Sequence, residues 1–199
     1  QQSPIQLMKF EYIWMDGHSP KNIRSKVRFI KIDRANIKTP NDFVDILPEW
    51  SFDGSSTKQA DTESSDCVLK PVKIYPSTTE RARTPSFVVL CEVMNPDGTP
   101  HETNTRAKLR NMIEDTSLDD MWFGIEQEFV IVDPITRKPL GWSNYDSGIP
   151  EAQGEYYCGT GSDVVRGRDL VESHAMACNS ANINVFGTNA EVMLSQWEY

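Results

Sequence analysis

Apolar and polar residues alternate through most of the first half of the chain, which is the pattern of strands with one buried face. Two such segments, Met8–Gly17 and Ile23–Asp33, flank a short polar stretch that begins with an Asp-Gly turn signal, so they predict a β-hairpin. A polar break is predicted at Lys38–Asp42. Two further strands are predicted at Asp66–Pro76 and Ser86–Met94.

The pattern changes after the turn-rich stretch Asn95–Asn104, which we interpret as a boundary between a domain of residues 1–98 and one of residues 99–199. Beyond it, helical periodicity predicts one helix at Glu102–Asp115 and another that begins near Ser162. Strands are predicted at Gly124–Asp133 and Ile183–Asn189. The organisation is a β-rich domain followed by an α+β segment.

Composition narrows the classes of protein. The chain has 38% hydrophobic residues and a formal net charge of -9, so it is a folded protein whose charge argues against a nucleic-acid partner. No run of about 18 apolar residues and no secretory signal are present, so we expect no membrane association and a cytoplasmic location. Four widely spaced cysteines are expected to be free thiols: Cys67, Cys91, Cys158 and Cys178.

The segment GIEQEFVIVD places two glutamates in an apolar, β-prone run. Glu126 and Glu128 are two residues apart and therefore share one face of a strand. Burying carboxylates is costly unless they are paired or bound to a cation. Glu191 and Glu198 lie in the next predicted strand region, but their spacing of seven is odd. A turn or bulge near Ser195 is required if both are to face one site.

Four carboxylates on adjacent strands would suit a hard cation such as Mg²⁺ or Mn²⁺, because these ions prefer oxygen ligands. The alternative is that these are edge-strand glutamates that face water, since charged side chains are mostly exposed. Spacing alone leaves both interpretations open.

Several longer motifs occur in order along the chain: LPEWSFDGSST, WFGIEQEF, YYCGTGSD followed by GRDLVESH, and GTNAEVMLSQWEY. Together they resemble glutamine synthetase of the eukaryotic type (class II), and the resemblance extends from about Phe10 onward. It implies an α+β fold with an N-terminal β-grasp-like domain. Part of the catalytic domain, an antiparallel half-barrel sheet with helices, would follow.

The resemblance also implies an activity. Members of this family ligate ammonia to glutamate through a γ-glutamyl phosphate, with ATP as co-substrate and Mg²⁺ or Mn²⁺ as cofactor. It further implies a homo-oligomeric double ring, a decamer, in which active sites are shared between subunits.

Roles for individual residues follow from the resemblance. Glu128, Glu191 and Glu198 match the ligands of the metal that orients glutamate, and Glu191 is also counted among the catalytic residues. Glu126 matches a ligand of a second metal among the ATP phosphates, and Trp122 matches a residue near the nucleotide.

Four further residues match positions around the ammonium site or the glutamate site. Asp53 and Ser56 match a loop that reaches toward a neighbouring active site, where the aspartate captures ammonium and removes its proton. Tyr157 matches a tyrosine that lines the ammonium site. Asn189 is expected to support the glutamate site.

The family's remaining ligands and phosphate-binding arginines lie beyond the point that matches Tyr199, so we expect the 199-residue chain alone to be inactive. The chain is then a portion of a longer enzyme, a truncated relative that binds metal or co-assembles as a regulatory subunit, or a structural protein that has lost its metals. The clustered carboxylates argue against the structural protein, because a scaffold has no use for them.

Overall fold

A computed structural model of the chain describes residues 5–37, 39, 41–78, 84–116 and 121–199. Contacts between Cα atoms divide it into two compact units, Gln1–Met121 and Trp122–Tyr199. The domain boundary expected after residue 98 stays a prediction.

The first unit contains a five-stranded mixed sheet, as a β-grasp-like domain requires. Its strands are β1 (Ile5–Met15), β2 (Ile23–Asp33), β3 (Trp50–Asp53), β4 (Asp66–Pro76) and β5 (Ser86–Met94). Their spatial order is β2-β1-β5-β4-β3, with β1 and β5 parallel and all other neighbours antiparallel. The predicted hairpin and the predicted strands β4 and β5 are confirmed, and β3 is an additional strand within the motif LPEWSFDGSST.

The core of this unit lies on one face of the sheet. Every second residue of the central part of β1 is buried, namely Met8, Phe10, Tyr12 and Trp14. A short helix, α1 (Asn41–Ile46), packs Phe43 against Phe10 with 5.9 Å between ring centroids. The break predicted at Lys38–Asp42 is therefore wrong from Asn41 onward, because Phe43 and Leu47 are four residues apart and share a helix face. Lys38 and Pro40 lie outside the described residues.

The β1–β2 hairpin closes on the buried carboxylate of Asp16. This carboxylate accepts hydrogen bonds from the backbone N–H groups of His18 and Asn22 and from Nε of Arg24. Burial raises the pKa of Asp16, but the hydrogen bonds from Asn22, His18 and Arg24 outweigh it and hold the pKa well below its usual range. The turn therefore depends on a charged residue with satisfied hydrogen bonds, not on apolar packing.

A second helix, α2 (Thr105–Thr116), is fixed to β5 by a buried ion cluster. Glu92 is 2% exposed, and one of its oxygens accepts from Arg106 at 2.8 Å and from Arg110 at 2.6 Å. The helix begins three residues later than the predicted Glu102 because Asn104 caps it, accepting a hydrogen bond from the Ala107 N–H at 3.0 Å.

The second unit contains a small antiparallel sheet and one long helix. The strands are β6 (Glu128–Val130), β7 (Asn189–Ala190) and β8 (Gln196–Glu198), in the order β6-β8-β7, and the helix is α3 (Arg168–Ser180). Trp197 is fully buried and packs with Val165, Val171 and Ala190. Its indole N–H donates to the carbonyl of Arg166 at 2.7 Å.

Three predicted elements of this unit differ from the structure. The strand expected at Gly124–Asp133 keeps regular pairing only in β6, and the strand expected at Ile183–Asn189 is reduced to β7. The helix expected near Ser162 begins at Arg168, after Gly167 with φ 84°, so the loop is longer than the sequence predicts. None of the helices in the described residues has the length and apolarity needed to cross a membrane.

Candidate active site

Three of the predicted site residues lie in a row across the small sheet. Glu128 pairs with Glu198, and Glu198 pairs with Asn189 on its other side. Directly opposed residues of antiparallel strands project from the same face. The opposite face carries Trp197, which is paired with Phe129 and Ala190 and forms the core. One face of the sheet is thus apolar, and the other carries carboxylates.

The turn that joins β7 and β8 adds a third carboxylate. Ser195 has φ 72°, and the chain reverses so that the Glu191 N–H donates to the Gln196 carbonyl at 2.8 Å. This confirms the turn predicted near Ser195 from the odd spacing of the two glutamates. The Glu191 carboxylate accepts hydrogen bonds from Asn189 Nδ2 at 3.2 Å and from the Val192 N–H at 3.1 Å.

Neighbouring amides orient these carboxylates. Gln196 Nε2 donates to Glu128 Oε2 at 2.7 Å, which the sequence analysis missed. The signal was available, since Gln196 is two residues before Glu198 and shares its strand face.

The carboxylate oxygens are the donor type that a hard cation prefers, and the strand register brings them to one face. Within the described ranges, however, no three His, Cys, Asp or Glu side chains form a group arranged to hold a metal ion. The residues therefore fit such an ion by chemistry and register, but their side chains do not already form a ligand set.

Glu126 and Trp122 lie before β6 in a segment without regular structure. Both side chains are exposed, Trp122 at 96%. Backbone pairing with β8 reaches back only to Gln127, whose N–H donates to the Tyr199 carbonyl at 2.9 Å. Glu128 is exposed too, so the interpretation of a buried strand carrying buried carboxylates is wrong for this structure. The reason is that, among the described residues, β6 pairs only with β8.

The tyrosine pair in YYCGTG divides into a packed residue and an exposed one. Tyr156 is buried, and its hydroxyl accepts from the Glu151 N–H. Tyr157 is 55% exposed, and its pKa is raised by the adjacent Cys158 and then by the negative charges of Glu191 and Glu198. The Tyr157 hydroxyl therefore lies within the electrostatic field of two of the predicted metal ligands.

Asp53 lies in the first unit, at the end of β3, and begins a 3₁₀ turn at Gly54–Thr57. Its carboxylate accepts from the Ser55 N–H at 3.0 Å, from Ser55 Oγ at 2.6 Å and from Ser56 Oγ at 3.2 Å. The hydrogen bonds from Ser55 are the main cause of a lowered pKa for Asp53. Ser56, predicted as a site residue, thus contacts Asp53 directly.

The backbone immediately after this turn packs closely against Gly17. A Cβ on Gly17 would lie 2.0 Å from the carbonyl oxygen of Lys58. Lys58 itself adopts the left-handed conformation, with φ 55° and ψ 41°, where glycine is favoured. The turn is therefore closed by a strained lysine packed against a glycine.

Replacing Lys58 with glycine is expected to stabilise the first unit by about 1 kcal/mol, because glycine has no Cβ to strain in this conformation. Urea unfolding measures the change. Lys58→Ala is the control: it keeps the Cβ and should give no such gain. If the glycine variant were no more stable than the alanine variant, the conclusion that the Lys58 backbone is strained would be wrong.

Comparisons with known proteins all point to the same enzyme family. Residues 6–96, which include the whole five-stranded sheet except the start of β1, match the family described as glutamine synthetase, beta-Grasp domain. The chain is 44% identical over 189 residues to glutamine synthetase from Emericella nidulans, covering 95% of this chain and 49% of that protein. The chain carries the glutamine synthetase β-grasp domain and is similar to glutamine synthetases along nearly its whole length.

Other glutamine synthetases give the same result. The enzyme from Streptomyces viridochromogenes is 45% identical over 192 residues, covering 96% of this chain and 52% of that protein. A cryoEM structure of Plasmodium falciparum glutamine synthetase shares the fold with a TM-score of 0.56 at 17% identity, covering 98% of this chain and 40% of that one. A structure of GmaS without ligand has a TM-score of 0.64 at 15% identity, covering 96% and 41%. The chain thus spans about half the length of the curated relatives it matches.

Proposed function

We propose that this chain carries the ammonium-binding aspartate and one set of metal-binding carboxylates of an enzyme that ligates ammonia to glutamate. The reaction uses ATP and passes through γ-glutamyl phosphate. The observation that supports it best is the row Glu128–Glu198–Asn189, with Glu191 at the adjoining turn. The register that brings these carboxylates to one face of the sheet, opposite the apolar core, supports this proposal.

Carboxylate oxygens are the donors that Mg²⁺ and Mn²⁺ prefer, and the proposed metal ligands are chosen on that basis. Glu128, Glu191 and Glu198 would hold one Mg²⁺ or Mn²⁺ beside glutamate, and Glu126 would contribute to a second one at the nucleotide, near Trp122. When bound, such cations neutralise the charge that develops in phosphoryl transfer and hold the reacting groups in position.

The chain's own residues supply the proton chemistry. Asp53 carries a carboxylate that is ionised at neutral pH, so it can bind ammonium and accept a proton from it. Its lowered pKa means that the carboxylate stays ionised in mildly acidic solution as well. Tyr157 has a hydroxyl that is protonated at neutral pH and can donate a hydrogen bond, and its side chain is exposed. Ser56 holds the Asp53 carboxylate in place.

The proposed partners are glutamate, ammonia and ATP, together with further copies of the chain in a cytoplasmic homo-oligomeric double ring. In that assembly, Asp53 would act in the active site of a neighbouring subunit. No nucleic acid and no membrane are part of the proposal.

The test is metal-dependent glutamine formation by the complete gene product. Glu128→Gln is expected to weaken Mn²⁺ binding and to lower the rate of glutamine formation by about 100-fold, because a neutral amide replaces a charged ligand. Calorimetric Mn²⁺ titration and a glutamine assay measure the two effects.

The matched control is Glu63→Gln, which removes the same charge at an exposed position of the first unit. It should change neither quantity. If Glu128→Gln bound Mn²⁺ and formed glutamine as well as the control does, the proposed metal site would be wrong.

A further inference from the structure

A ring of hydrogen bonds lies beneath the Asp53 turn. Gln59 Nε2 donates to Thr103 Oγ1 at 2.8 Å, and Thr103 Oγ1 lies 2.9 Å from His101 Nδ1. The ring closes where His101 Nε2 lies 2.5 Å from the backbone carbonyl of Gln59. It therefore begins and ends on one residue, Gln59.

The direction of each bond in this ring is determined by its neighbours. The Thr103 N–H donates to His101 Nδ1 at 3.2 Å, so this nitrogen is an acceptor and carries no hydrogen. A neutral imidazole then has its hydrogen on Nε2, which donates to the Gln59 carbonyl. The Thr103 hydroxyl accepts from Gln59 and donates to His101, so all the bonds run in the same direction around the ring.

Gln59 connects this ring to two other segments of the chain. Its Nε2 also donates to the Met15 carbonyl at the end of β1, at 3.2 Å. Its Oε1 accepts from the hydroxyl of Thr57, the last residue of the 3₁₀ turn, at 2.8 Å. Gln59 and Thr57 are about as buried as His101, with exposures of 5%, 6% and 7%. Lost hydrogen bonds could not be replaced readily by water.

The backbone of Gln59 connects the ring to the turn that holds Asp53. The Gln59 N–H donates to the Gly54 carbonyl at 2.8 Å, and the Ala60 N–H donates to the same oxygen at 3.2 Å. The Gly54 carbonyl and the Ser55 N–H belong to one planar peptide group, so fixing one fixes the other. The Ser55 N–H is the backbone donor to the Asp53 carboxylate.

We propose that Gln59, His101 and Thr103 are positioning residues that hold the Asp53 carboxylate in its reactive orientation. The functional part of this inference rests on the ammonium-binding role proposed for Asp53. None of the three residues contacts Asp53. They act through the Gly54–Ser55 peptide group, whose orientation the ring fixes through the hydrogen bond from the Gln59 N–H to the Gly54 carbonyl.

The variants that test the ring most directly replace a side chain by one of nearly the same shape. Gln59→Met and Thr103→Val each break the ring at a different bond while conserving most of the side-chain volume. At position 101, glutamine places an amide N–H near the position of Nε2, whereas asparagine reaches only to the position of Nδ1. His101→Gln should therefore keep the bond to the Gln59 carbonyl, and His101→Asn should lose it.

Two measurements on the 199-residue chain, without metal or substrate, give the result. NMR titration follows the pKa of Asp53, and hydrogen exchange follows the Ser55 amide. In Gln59→Met, Thr103→Val and His101→Asn, we expect the pKa of Asp53 to rise toward its ordinary value. The Ser55 amide should exchange about tenfold faster, the equivalent of losing about 1.4 kcal/mol of local stability. His101→Gln should restore most of both properties.

Gln153→Met, at an exposed position of the second unit, is the control and should leave both properties unchanged. A merely structural role would lower the midpoint of global unfolding and leave the Asp53 titration of the folded protein unchanged. That outcome, or equal behaviour of His101→Gln and His101→Asn, would overturn the proposal.

These measurements need no catalysis, so they separate the two proposals. If the Asp53 titration moves but the complete enzyme does not need Asp53, the ring positions the carboxylate and the proposed function is wrong. If the titration does not move while Asp53→Asn abolishes glutamine formation, the proposed function stands and the positioning role is wrong.

Discussion

Glu92→Ala is expected to lower the free energy of unfolding of the first unit by about 2 kcal/mol, the scale for losing hydrogen bonds between charged groups at a buried carboxylate. Both Arg106 and Arg110 donate to the same carboxylate oxygen of this fully buried side chain, and Asn104 Nδ2 lies 3.5 Å from the other. Alanine would remove the buried carboxylate and leave a cavity in its place, while the two guanidinium groups, with side chains 48% and 38% exposed, would remain accessible to water. Helix α2 would then lose its main polar attachment to β5.

Urea unfolding followed by circular dichroism measures this loss. Glu63→Ala, at an exposed position, is the control and should shift the midpoint very little. A Glu92→Ala protein as stable as the control would show that the ion cluster contributes nothing net.

The Glu92 carboxylate also makes the stability of the first unit depend on pH, with lower stability in acid. Burial raises the pKa of Glu92, but the hydrogen bonds and charges of Arg110 and Arg106 outweigh it, so the net pKa is lowered. A depressed folded-state pKa stabilises the protein above the unfolded-state value of about 4.3 and loses that effect as pH falls through the folded-state value. Acid unfolding of Glu92→Gln should therefore depend less on pH below this value than that of the wild-type chain.

Trp197→Ala is expected to destabilise the second unit by about 4 kcal/mol, which is typical when a buried tryptophan is removed. Trp197 is fully buried, donates to the Arg166 carbonyl and lies 5.1 Å beneath the guanidinium of Arg168. The three strands of this sheet are only two or three residues long, so little else fixes their register. We expect the row of Glu128 and Glu198 to be lost with the sheet.

Near-ultraviolet circular dichroism and hydrogen exchange of residues 128–130 measure this effect. Trp122→Ala is a matched control, because the same side chain is removed at 96% exposure. Equal unfolding midpoints for the two variants would show that Trp197 does not hold the sheet together.

The four long strands of the first unit, β1, β2, β4 and β5, were predictable because their residues keep a strand pattern over nine to eleven positions. Met8, Phe10, Tyr12 and Trp14 alternate strictly and are all buried. Helix α1 was not predictable in the same way, because it has only six residues and its packing depends on Phe43 meeting the distant Phe87. A short element of this kind is determined by tertiary contacts and not by its own pattern.

Some features of the candidate site were predicted and others were not, again because some depend on tertiary contacts. The turn at Ser195 followed from the odd spacing of Glu191 and Glu198 together with the expectation that both face one site. The exposure of Glu128 did not, because an apolar run such as Phe129–Val132 reads the same whether one face or both faces are covered. The ring around Gln59 was also beyond prediction, since residues 42 and 44 positions apart must meet to form it.

The adjacency of Trp197 and Glu198 restricts how this region can change in length. The two side chains point to opposite faces of β8, one into the core and one toward the carboxylate row. Adding or removing a single residue between Ala190 and Trp197, with the pairing of β8 to β6 shifted by one, would turn the tryptophan outward and bury the glutamate. We therefore expect natural length variants of the β7–β8 turn to differ by two residues or not at all.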